Sequence, residues 1–410
     1  MNLFSRQTLA QFGLLVGLAH TSLAQPRLIQ NYLAEGRIAQ AHAAVEAALR
    51  EFPQRDELRF QLALVQFLGA LEQYSQSMYR FGLCDSRFGD LIPFLRFPVD
   101  VNPKAEPVTN IQLRQALADL LQGLNQTSAT LASIEDPSAL KVPLRLGQIR
   151  LDLNGDGVAS PEETLWRVFA RLNRITIKES VARRFGLHLD VADVRWLEGY
   201  CHLLAALAET TLAYDTQRLF DHTAHLFFAR PVMPFPFLHQ TSSFSSIAEF
   251  SDLIAFIHLI DLPVQEPARM QSALLHLEQV IALSRRSWRC LLAETDDDFE
   301  WIPNPGQRGL GPEWQVTQEQ VKLWHEFLDE SERILAGTTL LPFWRPNQPA
   351  KGINLRRVFT QPTRLDAVLW LQGTAATPYL EEGTITSTQF WERLSRAFRG
   401  NFRGFAAWFN

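Results

Sequence analysis

Twelve consecutive residues, Asp152-Leu153-Asn154-Gly155-Asp156-Gly157-Val158-Ala159-Ser160-Pro161-Glu162-Glu163, place oxygen-bearing side chains at positions 1, 3, 5, 9 and 12 and glycine at position 6. Asp and Asn at alternate places bond their own backbone and favour turns, so the run is excluded from the interior of a helix or strand. It predicts a tight loop whose alternate residues point inward. Gly157 allows the sharp turn at position 6, where a side chain would oppose positive φ. Such a loop suits a hard cation: Ca²⁺ takes roughly six to eight oxygens at about 2.3–2.6 Å. Asp152, Asn154 and Asp156 would supply three side-chain ligands and the Val158 carbonyl a fourth. Ser160 would bind directly or through water, and Glu163 through both carboxylate oxygens.

In these residues the segment resembles the EF-hand, and the resemblance implies Ca²⁺ with a helix on either side of the loop. Pro161 can stand near a helix start, and Leu165, Val168, Phe169 and Leu172 follow at helical spacing. On the entering side, Leu144 to Leu151 after Pro143 offers only a short helix. Position 8 is Ala159, smaller than the aliphatic that usually joins a partner loop, and no second loop of this kind occurs in the chain. A lone hand is expected. Paired sensor hands open to expose a Met-rich groove, whereas this chain has four Met, so the ion is expected to be structural.

Arg6, the apolar run Phe12 to Ala19 and the small residues at Ser22 and Ala24 read as a cleavable signal peptide over residues 1–24. Cleavage after Ala24 would send the mature chain to a periplasm or outside the cell. Calcium is plentiful there, and sites of roughly 10⁻⁴ to 10⁻³ M are filled. No later run approaches the ~18 apolar residues of a transmembrane helix. A net charge of −5 gives no footprint for nucleic acid. Cys84, Cys201 and Cys290 are too few for a disulfide scaffold, so apolar burial must hold a chain that is 46% hydrophobic.

Asn31 to Pro53 resembles part of a tetratricopeptide repeat: Gly36 turns one helix into the next, Ala41 and Ala48 let two helices approach, and Val45 and Leu49 fill the contact. A second copy would begin at Asp56, with Leu62 and Ala63 in place, and fade beyond Ala70. The resemblance implies helical hairpins over 25–83. A long connection rich in Pro and Phe leads from Cys84 to Thr109, and a helix is expected from Asn110 to about Ser133, completing a unit over 84–140. The metal loop then occupies 141–175.

Residues 176–340 read as helical. Asp190 is an N-cap for a helix running to about Phe228, Ile247 to Ile260 reads as a buried helix, and Pro267 opens another to about Glu294. Thr317-x-x-Gln320 is a capping box for a helix ending at Gly337. Over 341–410, frequent Pro and Gly imply a small irregular or α+β cap, with strands at Val358–Phe359 and Ala367–Leu371 and a last helix from about Thr388 to Phe398. Arg393, Arg396, Arg399 and Arg403 make this end locally basic, as a solvated face.

The fold expected is mainly α and multi-helical. No phosphate loop, nucleophile elbow or paired Cys motif appears. The expectation is therefore an exported calcium-binding protein that engages a protein partner or envelope component through its helical surface. The competing reading is a metal-dependent hydrolase built on His202, Glu209, Asp221, His222 and His225. His222 and His225 stand three apart, and Asp221 and His225 four apart, as zinc ligands on one helical face would. The acidic run Glu294 to Asp298 reads as a solvated turn.

Overall fold

A computed structural model describes residues 28–84, 93–95, 99–135, 140–173, 176–183, 185–239, 245–297, 300–308, 315–345, 350–398, 402 and 406. The expected leader at 1–24 lies outside them, as does most of the 401–410 tail. The described residues are mainly helical, with 14 α-helices and seven strands of two or three residues.

α1 (Gln30–Ala34) and α2 (Ile38–Glu51) meet at Gly36, whose φ is +70°. α3 (Asp56–Arg80) packs against α2 and against α4 (Asn110–Ala132). The approach of α3 to α4 depends on Gly123, where a Cβ would stand 2.6 Å from the Ala70 methyl. Helix therefore packs on helix here as expected, although α3 runs unbroken through Ala70 to Arg80. A Thr109/Gln112 capping box starts α4: Thr109 N–H donates to Gln112 Oε1 at 2.9 Å and Gln112 N–H to Thr109 Oγ1 at 3.3 Å. The long connection before α4 is tied at both ends to one segment, through the bridges Leu83 to Phe228 and Val108 to Pro231.

β1 (Val142–Leu144) and β2 (Leu187–Leu189) pair antiparallel, Val142 opposite Leu189, and close the base of an excursion that carries the Asp152–Glu163 loop. The helix expected to enter the loop at Leu144 to Leu151 is absent; Leu146–Gln148 forms a 3₁₀ turn and the chain then extends. The reason is where the N–H groups go. Arg150 donates to Leu33 O and Leu151 to Glu163 O, each 2.9–3.0 Å away, so neither is free for an i−4 carbonyl. After the loop, Pro161–Glu163 is 3₁₀, Thr164 is extended, and α5 (Leu165–Asn173) and α6 (Glu179–Ala182) follow.

α7 (Val191–Leu212) begins at Asp190, whose Oδ1 accepts from Ala192 N–H at 2.7 Å. The helix ends sixteen residues short of the expected Phe228. Two outside contacts stop it: the Arg114 guanidinium of α4 takes the carbonyls of Leu212 and Tyr214 at 2.8 and 2.7 Å, and Asp215 N–H donates to Pro263 O. α8 (Gln217–Thr223) and a 3₁₀ turn over Ala224–Leu226 carry the chain onward.

α9 (Ser245–Leu259) forms where a buried helix was expected, but of its described side chains, 247–259, only Phe256 and Leu259 are buried. β3 (Asp261–Leu262) leads to α10 (Pro267–Leu291), which lies along α7 in the most extensive helix pairing of the chain. α11 (Gln318–Leu335) starts at the expected Thr317/Gln320 box, and Gly337 follows it at φ +76°.

The carboxy-terminal cap contains β4 (Leu341–Pro342), β5 (Gly352–Ile353), α12 (Leu355–Thr360), β6 (Leu365–Asp366), α13 (Ala367–Gln372), β7 (Leu380–Glu381) and α14 (Thr388–Ala397). β4, β5 and β7 make a three-stranded sheet and β3 pairs with β6. The strands expected at Val358–Phe359 and Ala367–Leu371 are helical instead. Asn354 and Asp366 cap them, accepting from Arg357 N–H at 3.3 Å and Leu369 N–H at 2.8 Å, and such caps outweigh the β tendency of a few apolar residues.

One core joins α1 to α4 with α7 and the Asp152–Glu163 loop excursion. A second gathers Trp288, Trp324 and Ile302 between α10 and α11. At the join of α4 and α7 lies Arg195, with no exposed surface.

Candidate metal centre

The loop from Asp152 to Glu163 folds onto its own N–H groups. Asp152 accepts from Gly155 N–H at 2.8 Å and from Gly157 N–H at 2.9 Å. Asn154 Oδ1 accepts from Asp156 N–H and Asp156 Oδ1 from Val158 N–H, both at 2.8 Å. Gly155 and Gly157 have φ of +74° and +85°, which L side chains rarely adopt. Glu163, 6% exposed, closes the ring: Oε1 accepts from Leu153 N–H at 2.9 Å and Oε2 from Ser160 N–H at 2.8 Å. The terminal carboxylate thus has a role in the loop before any ion is considered.

Two distant segments hold the loop in place. From α3, Glu72 Oε1 accepts from Asp152 N–H at 2.7 Å, Gln76 Nε2 donates to Asp152 O at 2.8 Å, and Ser75 Oγ donates to Leu153 O at 3.1 Å. Successive turns of α3 therefore clamp the backbone where an entering helix would have led in. From the α1–α2 turn, Gly36 approaches position 8 so closely that a Cβ on it would stand 2.0 Å from the Ala159 methyl. The small residue at position 8 is explained by that contact: the turn occupies the side that a partner hand would take.

The donors are oxygens of hard type, as Ca²⁺ requires. Negative charge is concentrated here. Burial, together with the charges of Asp152 and Glu163, pushes the Glu72 carboxyl up to about 7. A small cavity beside the loop is lined by Tyr79, Asp100, Asn154, Glu163 and Arg171 among others. The carboxylates of Asp152, Asp156 and Glu163 are not drawn into one tight group, since each holds N–H groups of the loop.

The chain matches no protein-family profile, no curated protein and no solved structure.

Among the described residues, one carboxylate group does converge: single oxygens of Asp190, Glu294 and Glu300 all lie within 4.8 Å of one another. The expected solvated turn at Glu294 is therefore partly folded inward, with Gln307 Nε2 donating to Glu294 Oε2 at 3.1 Å and Asp296 held by Lys141 at 3.0 Å. Burial and the Asp190 charge push Glu294 up to about 9. Glu294 thus keeps its proton in the folded chain and loses it near 4.5 when unfolded, so stability is fully present below about pH 4.5 and is lost as pH rises towards 9. Thermal melts in chelator across pH 5 to 9 should fall with rising pH, and more steeply in the native chain than in Glu294→Gln. Equal slopes would remove this assignment.

The histidines of the hydrolase reading go to separate places. His222 Nδ1 lies 2.9 Å from Arg218 O and its ring packs on Phe235. His225 Nε2 meets Asp252 at 3.3 Å. Glu209 is held by Arg269 at 2.8 Å. His202 joins a chain across three helices, with Ser128 Oγ 3.0 Å from Nε2 and His276 Nδ1 2.7 Å from Nδ1. Burial, then the nearby His276, lowers His202 to about 4, so this chain is neutral near pH 7. No spacing in the sequence marks Ser128 and His276 as its partners, 74 residues away on either side. None of the three cysteines forms a disulfide, and Cys201 is buried.

Proposed function

We propose that this protein binds one calcium ion in the loop from Asp152 to Glu163, through Asp152, Asn154, Asp156, Val158 O, Ser160 and Glu163. The ion acts as a structural brace in an exported, mainly helical binding protein. The observation that carries the reading is the double docking of the loop, by Glu72, Ser75 and Gln76 on α3 and by Gly36 against Ala159. A loop so held can transmit little motion to a target, yet its closure ties the amino-terminal hairpin to the excursion before α7. Calcium supplies charge compensation for Asp152, Asp156 and Glu163. It lets their oxygens approach one another, and in return stabilises every contact that depends on the closed loop. The resulting helical surface engages a protein or envelope component.

Calorimetric titration of the protein with CaCl₂, and melting in calcium against chelator, test this. One ion per chain should bind, and stability should rise by about 1.4 kcal/mol when free calcium is tenfold above Kd. Absence of binding heat together with unchanged melting at several millimolar calcium would exclude the brace.

A further inference from the structure

Ten of the seventeen large apolar side chains that stand exposed among the described residues belong to elements in one neighbourhood: the 231–239 segment, α9, Trp344 and α13. These elements touch in series. Phe235 packs on His222 of α8, α8 packs against α9, and α9 against α13. Within α9 the exposed residues are Ile247, Phe250, Ile254 and Ile257, 39 to 66% exposed and spaced three, four and three apart. That is the spacing of a seam read by a second helix of the same kind. Soluble chains rarely leave such a face uncovered.

We propose that a second copy of this chain covers it, α9 against α9 about a two-fold axis, with Phe237 and Leu371 at the margins. Three features favour a like partner. An apolar seam at this spacing is self-complementary, as a two-fold interface must be. The flanking residues Ser251, Leu253 and His258 place no carboxylate, Lys or Arg where two copies would repel. The four seam side chains with Phe237 and Leu371 together expose on the order of 700 Å², close to the roughly 800 Å² that each partner contributes to a standard interface. A lipid surface suits the helix less well. Residues 245–259 contain no Lys or Arg, the residues that hold interfacial helices to headgroups, and they carry Glu249 and Asp252.

Light scattering after size exclusion, on the whole protein at tens of micromolar, should give twice the chain mass. Ile254→Asp and, separately, Phe250→Lys should halve that mass while circular dichroism and melting stay native. Leu275→Asp, equally exposed but on α10, should stay dimeric. The inference is overturned by a monomeric native protein, by α9 variants that remain dimeric, or by a monomer that binds zwitterionic vesicles through Ile254.

Discussion

Glu163→Ala should lower the melting temperature both in calcium and in chelator, and remove the difference expected between the two. Glu163 has two duties that the paired conditions separate. Its carboxylate accepts from Leu153 and Ser160 N–H within a nearly closed site, so truncation strands two donors. A buried donor left without a partner costs about 1–3 kcal/mol; with Leu153 N–H buried and Ser160 N–H only part-buried, the loss in chelator should be about 2–4 kcal/mol. The carboxylate is also the ligand expected to give calcium two oxygens, so the calcium-dependent rise should vanish with it. Glu163→Gln keeps an oxygen for one N–H but not the charge, and should recover part of the chelator stability and none of the calcium response. A variant that keeps the full calcium response would show that the ion, if bound, lies elsewhere. One that costs nothing in chelator would contradict the hydrogen bonds.

Arg195→Met should cost about 3–5 kcal/mol, the scale of breaking a buried ion pair from one side. The guanidinium has no exposed surface. Its Nη1 meets Glu198 Oε2 at 2.8 Å and Leu131 O at 3.2 Å, and its Nη2 bonds Ile134 O. It therefore closes the carboxyl end of α4, where helix carbonyls lack partners of their own, against the first turns of α7. Removing it takes from the buried Glu198 the guanidinium that it meets at 2.8 Å. The shift in urea midpoint measures the cost, and Arg195→Met with Glu198→Leu should recover most of it, because the desolvated charge goes too. A single-variant loss below about 1 kcal/mol would show that this pair is not a buried constraint.

Helix starts at Val191 and Gln318 were legible because a capping side chain acts within three residues of the backbone it satisfies, whereas the helix from Asn110 was legible from its apolar spacing alone. The turn-forming loop was legible for the same reason as the caps, since Asp152, Asn154 and Asp156 bond N–H groups two to five residues on. Helix ends were less so. α7 stops where Arg114 and Pro263 take its polar groups, and both lie far away in sequence. The strands expected near Val358 and Ala367 failed because an apolar run of two to five residues fits either state, and only its cap decided.

The turns of the Asp152–Glu163 loop, the caps and the mainly helical character are short-range properties: side chains and backbone a few residues apart meet whatever the rest of the chain does. The clamp of Glu72, Ser75 and Gln76 on the loop, the seating of Gly36 on Ala159 and the meeting of Asp190 with Glu294 and Glu300 span tens to more than a hundred residues. So does the exposure of α9, whose apolar residues looked buried. An apolar face calls for cover without saying where the cover comes from, and that is settled only when distant helices pack.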